Sequence, residues 1–391
     1  MPRPRQVRSL GSVEWFSVTS GSAIKPLKIL FLEPFYGGSH REFADGLAAH
    51  SAHTIHLVTL PARWWKWRMR GAALHFFHDI ADPESYDLLL TSDLMSLSDL
   101  TALWGRRRPP AVVYFHESQL TYPVAPGERM DYQFGFTDIT TCLAADRILF
   151  NSKSHLSSFF DQLPRFLAKL PEYRPTWVSA AIRPKCAVLH PGCRLPAEPK
   201  IVAIAEDDPA PPLVIWNHRW EHDKNPEAFF KAMGQIQKQG IAFRLAVLGE
   251  RFNNAPAVFD RARRQFAKET VQWGFAEDRE AYLDWLGRGT VVVSTALQEN
   301  FGIAVVEAVA GGCLPLLPHR LSYPELLPAD LHDHFLYTNT ADLVNKLSGV
   351  LSRPEKFAAR GWQLRDHLQR FAWPNCIGAY DACFEELAAT P

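Results

Sequence analysis

Short apolar runs rich in β-branched residues alternate with helix-like stretches in two successive rounds, and this alternation narrows the possible folds most. The first round, from Pro26 onward, contains the strand-like segments LKILFLEP, HTIHLVTL, YDLLLTS, PAVVYFHE and DRILFNS. The second round contains LVIWNHR, FRLAVLGE, VQWGF, GTVVVSTA and GCLPLLP. Apolar strands separated by helices are typical of parallel sheets that helices cover on both faces. We therefore predict an α/β protein with two doubly wound, Rossmann-like domains.

Changes in composition mark the predicted domain boundaries. Residues 1–26 are rich in Arg and Ser and lack the apolar stretch of a secretory signal. We expect a disordered extension or a start codon assigned too far upstream, with a transit peptide as the alternative. Residues 27–194 form the first predicted domain, and the Pro-rich, acidic residues 195–212 form a linker. The second domain spans residues 213–372, and residues 373–391 indicate a terminal amphipathic helix. We expect ligands in a cleft where the strand ends of both domains face each other.

Composition excludes several classes of protein. The 391 residues are 47% hydrophobic and 21% charged, which is typical of a globular protein. Because 42 basic residues balance 42 acidic ones, no overall field attracts nucleic acid, and any polyanion site must be a local patch. The six cysteines form no CxxC pair, and no apolar run approaches the length of a membrane span. We therefore expect a cytoplasmic protein with reduced cysteines, no membrane association and no evident protein partner.

The run VVVSTALQENFGIAVVEAVAGG, residues 291–312, predicts a strand, a turn and a helix. Glu299 lies in the turn, and Glu307 follows eight residues later, about two turns along the helix. Asn300, Phe301 and Gly302 would present free backbone N–H groups at the helix N-terminus, which is a ready anion site. A solvated helix face is the alternative for each glutamate taken alone.

A second strand–helix junction carries two cations. In WNHRWEHDKNPEAFF, residues 216–230, Arg219 and Lys224 flank the start of a helix at Pro226. A guanidinium fork and an ammonium at a strand end suit a diphosphate. The alternative is a pair of unrelated surface cations.

The first half offers weaker signals at its own strand ends. Gly37 and Gly38 in EPFYGGSH follow the first strand directly, as a loop that approaches a phosphate or sugar would. His116 and Glu117 in YFHESQLTYP end another strand. A single histidine at such a place is more often structural than catalytic.

One segment, LPARWWKWRMRGAALHFF at residues 60–77, combines basic and aromatic residues without an acid. It could be a surface helix whose long side chains cover the edge of the core. It could also be a platform on which RNA bases stack and phosphates bind. The candidate contacts of that platform are Arg63, Trp64, Trp65, Lys66, Trp67, Arg68 and Arg70.

Together these motifs resemble retaining glycosyltransferases of the GT-B architecture, family 4 group, whose fingerprint is an Arg-x4-Lys pair and a Glu-x7-Glu pair. The resemblance implies that two Rossmann-like domains face a central cleft. It places Arg219 and Lys224 on the nucleotide-sugar diphosphate, Glu299 on donor sugar hydroxyls and Glu307 on the ribose. His116 matches the histidine that this group keeps beside the donor sugar. Such enzymes generally need no metal, so we expect metal-independent activity without a cofactor.

A narrower resemblance extends from about Leu27 to the C-terminus. The motifs EPFYGGSH, LPARWWKWRMRGAAL, FHESQLTYP, RMDYQFGF, RPKC, HRWEHDKNPE and YPE are similar to those of the tRNA-queuosine mannosyltransferase family. This resemblance implies transfer of mannose from GDP-mannose to queuosine at the wobble position of an aspartate tRNA. It also implies that the N-terminal domain takes the acceptor and that the basic–aromatic segment contacts the anticodon loop.

Two other functions remain open from the sequence. One is a family 4-type glycosyltransferase that acts on a lipid, a glycan or a small metabolite, with the basic–aromatic segment at a headgroup or membrane surface. The other is a non-catalytic RNA-binding protein on a GT-B scaffold. The two intact donor motifs argue against lost catalysis, because RNA binding alone would not require them.

Overall fold

The computed structural model describes residues 25–122, 131–196, 210–251 and 255–390. The predicted extension over residues 1–26 lies almost wholly outside the described residues, and most of the predicted linker over residues 195–212 does too. The predictions for these segments therefore stay predictions.

The N-terminal domain contains a parallel sheet whose strands follow the predicted apolar runs. Its described strands are β1 (Lys28–Tyr36), β2 (Thr54–Pro61), β3 (Leu88–Ser92), β4 (Ala111–Phe115), β5 (Arg147–Phe150) and β6 (Cys186–Val188). Its described helices are α1 (Gly38–His50), α2 (Trp65–Asp79), α3 (Leu97–Trp104), α4 (Tyr132–Ala144), α5 (Lys153–Leu167) and α6 (Val178–Ile182).

The C-terminal domain repeats this arrangement. Its described strands are β7 (Leu213–Asn217), β8 (Arg244–Leu248), β9 (Thr270–Gly274), β10 (Val291–Val293), β11 (Leu314–Pro318) and β12 (Leu336–Tyr337). The described helices in this part of the chain are α7 (Pro226–Lys238), α8 (Val258–Gln265), α9 (Arg279–Gly287), α10 (Ile303–Ala310), α11 (Tyr323–Leu326), α12 (His332–Phe335), α13 (Thr340–Ser352), α14 (Ala358–Leu368) and α15 (Trp373–Ala388).

Both sheets are parallel and doubly wound, so the predicted fold class is confirmed. The strand order is β2-β1-β3-β4-β5-β6 in the first sheet and β12-β11-β10-β7-β8-β9 in the second. The order reverses between β1 and β3 and again between β7 and β10. A crevice opens at the carboxyl ends of the strands at such a reversal point, and ligands of this fold class bind there. Strands β6 and β12 were not predicted, because each is a short edge strand without a long apolar run.

Alternating side chains of the strands build a core on each face of the N-terminal sheet. Leu30 and Leu32 of β1 face one way and pack in the cluster that contains Phe76 of α2. Ile29 and Phe31 face the other way. Burial of both faces explains why these strands are continuously apolar instead of alternating with polar residues.

Helix α15 ends the chain by packing on the N-terminal domain. Its buried residues Trp373 and Tyr380 join the cluster of Ile29, and the Trp373 ring lies 5.8 Å from the Phe43 ring of α1. The segment that leads into α15 lies next to the segment that leaves the N-terminal domain. The Cys193 N–H donates to the Phe371 carbonyl at 2.7 Å between these two segments. The two domains are thus joined by two neighbouring crossings.

Two further sequence expectations concern the cysteines and the membrane. All six cysteines are unpaired; Cys142, Cys193 and Cys313 are buried, and the other three are half-buried. Within the described ranges, every helix is too short or too polar to cross a membrane.

Replacement of Trp373 by Ala is expected to lower the free energy of unfolding by roughly 3–5 kcal/mol, because it leaves a cavity between α15 and the N-terminal sheet. Urea unfolding of the purified protein measures this loss. Trp362→Ala is the matched control, since the Trp362 side chain is half exposed. Equal small losses in both variants would contradict the docking of α15.

Candidate active site in the cleft

Several candidate residues lie at the two points where strand order reverses, and His116 lies one strand further along the first sheet. Lys224 follows β7 and Glu299 follows β10, which are neighbours in the second sheet. Glu33 lies in β1 and Asp93 directly follows β3, which are neighbours in the first sheet. His116 directly follows β4. The topology therefore brings residues that are distant in sequence to one edge of each sheet.

Lys224 and Glu299 form an ion pair in which the lysine is buried and the glutamate is half-buried. The Lys224 ammonium lies 3.4 Å from a Glu299 carboxylate oxygen and 3.1 Å from that of Asp223, and it donates to the Gln298 carbonyl at 2.8 Å. Burial lowers the pKa of Lys224, but the Glu299 and Asp223 carboxylates outweigh burial and raise it. The lysine therefore stays positively charged at the strand end.

Arg219 extends from the same strand into the cleft. Its side chain is half exposed and pairs with Glu221 at 3.1 Å. Its charge also interacts with Tyr122 and Glu117 of the N-terminal domain. The guanidinium thus faces the opposite domain and has exposed donors that an incoming anion can reach.

Helix α10 begins in the turn after β10, as predicted. Gly302 precedes the helix with φ of 103°, a left-handed conformation that favours glycine. The Phe301 ring is buried and lies 5.1 Å from the Phe371 ring, so this side chain packs the interior. The Asn300 amide crosses the cleft and donates to the His116 carbonyl at 3.0 Å. The proposed anion contacts of these three residues stay predictions.

Glu307 is buried, which rules out a solvated helix face. Its carboxylate pairs with Arg279, and the Tyr282 hydroxyl donates to it at 3.3 Å. Burial raises the pKa of Glu307, whereas Arg279 lowers it. Arg279 and Tyr282 were not predicted, although their place at the start of the helix that follows β9 is a usable signal.

His116 is held neutral by its surroundings. Burial, with a further effect from the charge on His40, lowers the pKa of His116 well below its usual value. Its backbone N–H donates to Asp93 at 2.8 Å, and its ring lies 4.0 Å from the His40 ring. Its Nε2 atom is buried without a hydrogen-bond partner among the described residues.

Glu33 and His40 form a buried charged pair beside His116 that sequence reasoning missed. The His40 Nδ1 atom lies 3.2 Å from a Glu33 carboxylate oxygen, which also accepts from Ser92 at 3.1 Å. Burial lowers the pKa of His40, but the Glu33 carboxylate, with smaller contributions from Asp93 and Glu117, raises it to about 9. An acid at the end of an otherwise apolar strand is the signal that could have identified the pair.

The same residues could hold a metal ion. Within the described part of the chain, potential ligand atoms of Glu33, His40 and His116 lie within 4.8 Å of one another. However, the Glu33–His40 hydrogen bond already occupies one carboxylate oxygen and one imidazole nitrogen. Metal independence stays a prediction, and these residues are where it could fail.

Gly37 and Gly38 lie between β1 and α1, as predicted, and each has a local structural reason. A Cβ atom at Gly37 would lie 2.4 Å from that of Ala62. Gly38 has φ of 51°, which favours glycine. Their predicted contact with the donor stays a prediction.

The basic–aromatic segment forms the start of α2 and the turn before it. The Trp64 and Trp67 side chains are 70% and 77% exposed, whereas Trp65 is half-buried with its ring 5.1 Å from that of Phe134. The buried face of α2 contains none of these three tryptophans; it consists of Met69, Ala72, Ala73 and Phe76.

The cations of α2 are also largely available. Arg63 and Lys66 are exposed, Arg70 is exposed and lies 3.7 Å from Asp99, and Arg68 is half-buried and donates to the Pro61 carbonyl at 3.4 Å. Two indoles and three cations therefore face solvent on one short segment.

Comparison with known proteins shows the family to which the chain belongs. Residues 28–193 match the family model described as tRNA-queuosine alpha-mannosyltransferase N-terminal, and residues 198–361 match that of glycosyl transferases group 1. The chain is 37% identical over 373 residues to a tRNA-queuosine alpha-mannosyltransferase of Drosophila melanogaster, covering 92% of this chain and 96% of that protein. The chain belongs to the tRNA-queuosine alpha-mannosyltransferase family. It is a glycosyltransferase.

More distant similarities support the fold alone. The sucrose-phosphate synthase of Thermosynechococcus elongatus superposes with a TM-score of 0.71 at 16% identity, over 93% of this chain and all (100%) of that one. The Anabaena protein HepE, solved in complex with UDP, has a TM-score of 0.65 at 14% identity, over 92% of this chain and 100% of that one. These neighbours confirm the predicted GT-B architecture.

Replacement of His40 by Gln is expected to cost more stability near pH 6 than near pH 10. The folded-state pKa of about 9 exceeds the ordinary value of 6.5, so the stability from the charged ring is complete below about pH 6.5 and is lost as pH rises through about 9. Urea unfolding of both proteins across this range measures the difference. His75→Gln, at an exposed histidine, is the control; a pH-independent cost of His40→Gln would contradict the charged pair.

Proposed function

We propose that the protein transfers mannose from GDP-mannose to queuosine at the wobble position of tRNA(Asp), with retention of anomeric configuration. Family membership supports the acceptor class. The observation that carries the assignment to this cleft is the hydrogen bond from Asn300 to the His116 carbonyl. Through it, the Lys224–Glu299 pair of one domain lies against the His116 cluster of the other, so a nucleotide sugar and its acceptor can meet there.

The main electrostatic task of the site is to stabilise the departing diphosphate. Arg219 offers a partly exposed guanidinium fork, and Lys224 offers a buried, positively charged ammonium. Backbone N–H groups at the start of α10, near Gly302, add positive potential. Charge that grows on the leaving phosphate is therefore stabilised more in the transition state than in the bound donor, which is what lowers the barrier.

The sugar needs no protein nucleophile when the acceptor attacks from the side that the phosphate leaves. The bond from the anomeric carbon to the phosphate oxygen breaks, and the acceptor oxygen bonds to that carbon on the same face. The acceptor proton passes to the departing phosphate oxygen. Glu299 would bind donor hydroxyls, and the neutral His116 would position the donor sugar.

The nucleotide would lie along the same domain. Glu307 accepts hydrogen bonds, which suits ribose hydroxyls. Its present partners Arg279 and Tyr282 would share or release its oxygens when the ribose binds. The half-buried guanidinium of Arg279 would then be able to approach the nucleotide.

The exposed start of α2 is the proposed tRNA-binding surface. Anticodon loops present phosphates together with bases that can leave the stack. Trp64 and Trp67 are exposed enough to stack on bases, and Arg63, Lys66 and Arg70 can bind phosphates. Trp65 would support the surface through its contact with Phe134.

The decisive experiment incubates the purified protein with labelled GDP-mannose, and separately with UDP-sugars, on total tRNA. Digestion to nucleosides then identifies the labelled product. Matched tRNA from cells that cannot make queuosine is the control. Label on queuosine only in the first pool supports the proposal. Label on lipid, glycan or metabolite, or tRNA binding without transfer, would support one of the two alternatives instead.

Arg219→Ala and Lys224→Ala are each expected to lower turnover by about 10² or more, because leaving-group charge is no longer neutralised. Steady-state kinetics measures the loss, and a thermal melt checks the fold. Lys231→Ala, which removes an exposed lysine on α7, is the control. Near-normal turnover in both Arg219→Ala and Lys224→Ala would contradict the assignment of these two residues to the diphosphate.

Transfer is expected to continue in the presence of a strong chelator, because Arg219, Lys224 and the start of α10 already provide positive charge for the phosphates. Activity is measured before and after prolonged dialysis against the chelator. Complete loss that a divalent ion restores would contradict metal independence, and it would point to Glu33, His40 and His116 as the first residues to test.

Reversing the charges of Arg63, Lys66, Arg68 and Arg70 should weaken tRNA binding while GDP binding stays nearly unchanged, because the two sites lie in different domains. Each lost phosphate contact should reduce the salt slope of binding by somewhat less than about one unit. Trp64→Ala and Trp67→Ala should each cost about 1–3 kcal/mol of tRNA affinity with normal stability. Filter binding at several salt concentrations measures both effects.

Trp65→Ala supplies the internal comparison for this surface, because its ring packs on Phe134 and its loss should lower stability. A folded charge-reversed protein with unaltered affinity and salt slope would show that α2 does not bind the tRNA.

A further inference from the structure

Glu325 of the C-terminal domain contacts the first turn of a helix in the N-terminal domain. The residue lies on α11, in the segment YPE that the sequence singled out. One carboxylate oxygen accepts from the Lys153 backbone N–H at 2.8 Å, and the other accepts from that of Ser154 at 2.6 Å. These two residues begin α5, so a single side chain bridges the two domains.

The contact is electrostatically favourable. The first backbone N–H groups of a helix have no partner within the helix, and the helix dipole makes its N-terminus positive. The Ser152 side chain already caps α5 by accepting from the His155 N–H at 2.9 Å. Glu325 accepts from the two N–H groups that this cap leaves free. Hydrogen bonds to an ionised acceptor are stronger than those between neutral groups.

Hydrogen bonds near each partner of this contact connect it to the candidate active site. Asn151, just before α5, donates from its side chain to the His116 carbonyl at 2.9 Å. On the other side, the Tyr323 hydroxyl of α11 lies 2.6 Å from the Ser294 hydroxyl at the end of β10, five residues before Glu299. A shift of Glu325 relative to α5 would therefore move His116 relative to Glu299.

The contact also lies beside the crossing between the domains. The Glu325 carbonyl accepts from Arg370 at 2.6 Å. The next residue, Phe371, accepts from the Cys193 N–H at 2.7 Å, where the two crossings run together. Rotation about the crossings would thus make or break the contact to α5, because Glu325 is anchored on one side of them and α5 on the other.

We propose that Glu325 is a positioning residue that latches the two domains in the arrangement in which His116 faces Glu299. It does not touch the reacting groups of the proposed mechanism. Its carboxylate fixes this arrangement by capping α5 from the opposite domain. The latch goes beyond the proposed donor and acceptor, since it would act in the same way for any nucleotide sugar.

The first test compares Glu325→Gln with Glu355→Gln, which makes the same chemical change at an exposed glutamate. Glu325→Gln removes the charge and one acceptor, so amide hydrogen exchange at Lys153 and Ser154 should become faster by about tenfold, and kcat should fall by a similar factor. Glu325→Asp, which keeps the charge, should recover part of the loss. The melting temperature should change little, which separates a latch from a general loss of stability.

A second variant removes the contact from the other side. Lys153 is the first residue of α5, and Ser152 before it is extended with φ of −157° and ψ of 161°. Proline is tolerated at a first helical position and after an extended residue, so Lys153→Pro should delete one N–H donor while α5 persists. Lys153→Ala, which keeps the N–H, is its control. Because both changes break the same contact, the Glu325→Gln and Lys153→Pro effects on kcat should not add.

Several outcomes would overturn the latch. Unchanged exchange at α5 in Glu325→Gln would show that the contact does not persist in solution. Faster exchange with kcat equal to that of Glu355→Gln would show that the contact does not position the site. If Glu325→Gln fails to fold, the comparison of Lys153→Pro with Lys153→Ala decides. The exchange measurement needs no substrate, so failure of the latch is distinct from failure of the proposed transfer reaction.

Discussion

The buried positive charge of Lys224 is the interaction on which the candidate site depends. An ammonium removed from water needs anionic partners, and Lys224 finds them in Asp223 and Glu299, which come from the ends of two different strands. Those strands, β7 and β10, are neighbours only because the second sheet reverses its order between them. The doubly wound topology therefore creates the charged site, and the proposed binding of a diphosphate and a sugar depends on it. Removing the lysine would leave two neighbouring carboxylates without their cation, whereas removing one carboxylate would leave Lys224 paired with the other.

A second constraint is the way in which the chain crosses between domains. Helix α15 follows the C-terminal domain in sequence, yet it buries Trp373 and Tyr380 against the N-terminal sheet. The two crossings run together at Cys193 and Phe371, so they form one pivot for relative motion of the domains. The contacts of Asn300 with His116 and of Glu325 with α5 join the two domains outside these crossings. Rotation of one domain against the other would break these polar contacts, whereas the apolar contact of α15 lies within the N-terminal part of the fold and would persist.

The features that could be predicted from the sequence are those that a short segment specifies by itself, such as an apolar strand or a motif at a strand end. The apolar runs predicted every described strand except β6 and β12, and Arg219, Lys224 and Glu299 marked the segments that follow β7 and β10. The partners of these residues could not be predicted, because hydrogen bonding across distant segments has no local signal. Nothing in the sequence around His40 indicates that Glu33 lies beside it in the fold. Likewise, nothing around Glu325 indicates that it contacts α5 of the other domain. The strands β6 and β12 were missed for a related reason: a short edge strand is defined by its neighbour more than by its own residues.

The exposed surface of α2 differs from the cleft in that its charged and aromatic side chains face solvent and are not buried in ion pairs. The chain carries equal numbers of acidic and basic residues, so no long-range field draws a polyanion toward it. Within residues 60–77, however, basic residues occur without an acid, and the Trp64 and Trp67 rings stay in solvent although the buried face of α2 needs neither. Exposed aromatic side chains grouped on one short segment are typical of a contact surface. A ligand that offers both phosphates and flat bases would satisfy the cations and the indoles together. Recognition would then rest on a few short-range contacts, so binding should depend less steeply on salt than it does for proteins that bind nucleic acid through an extensive basic face.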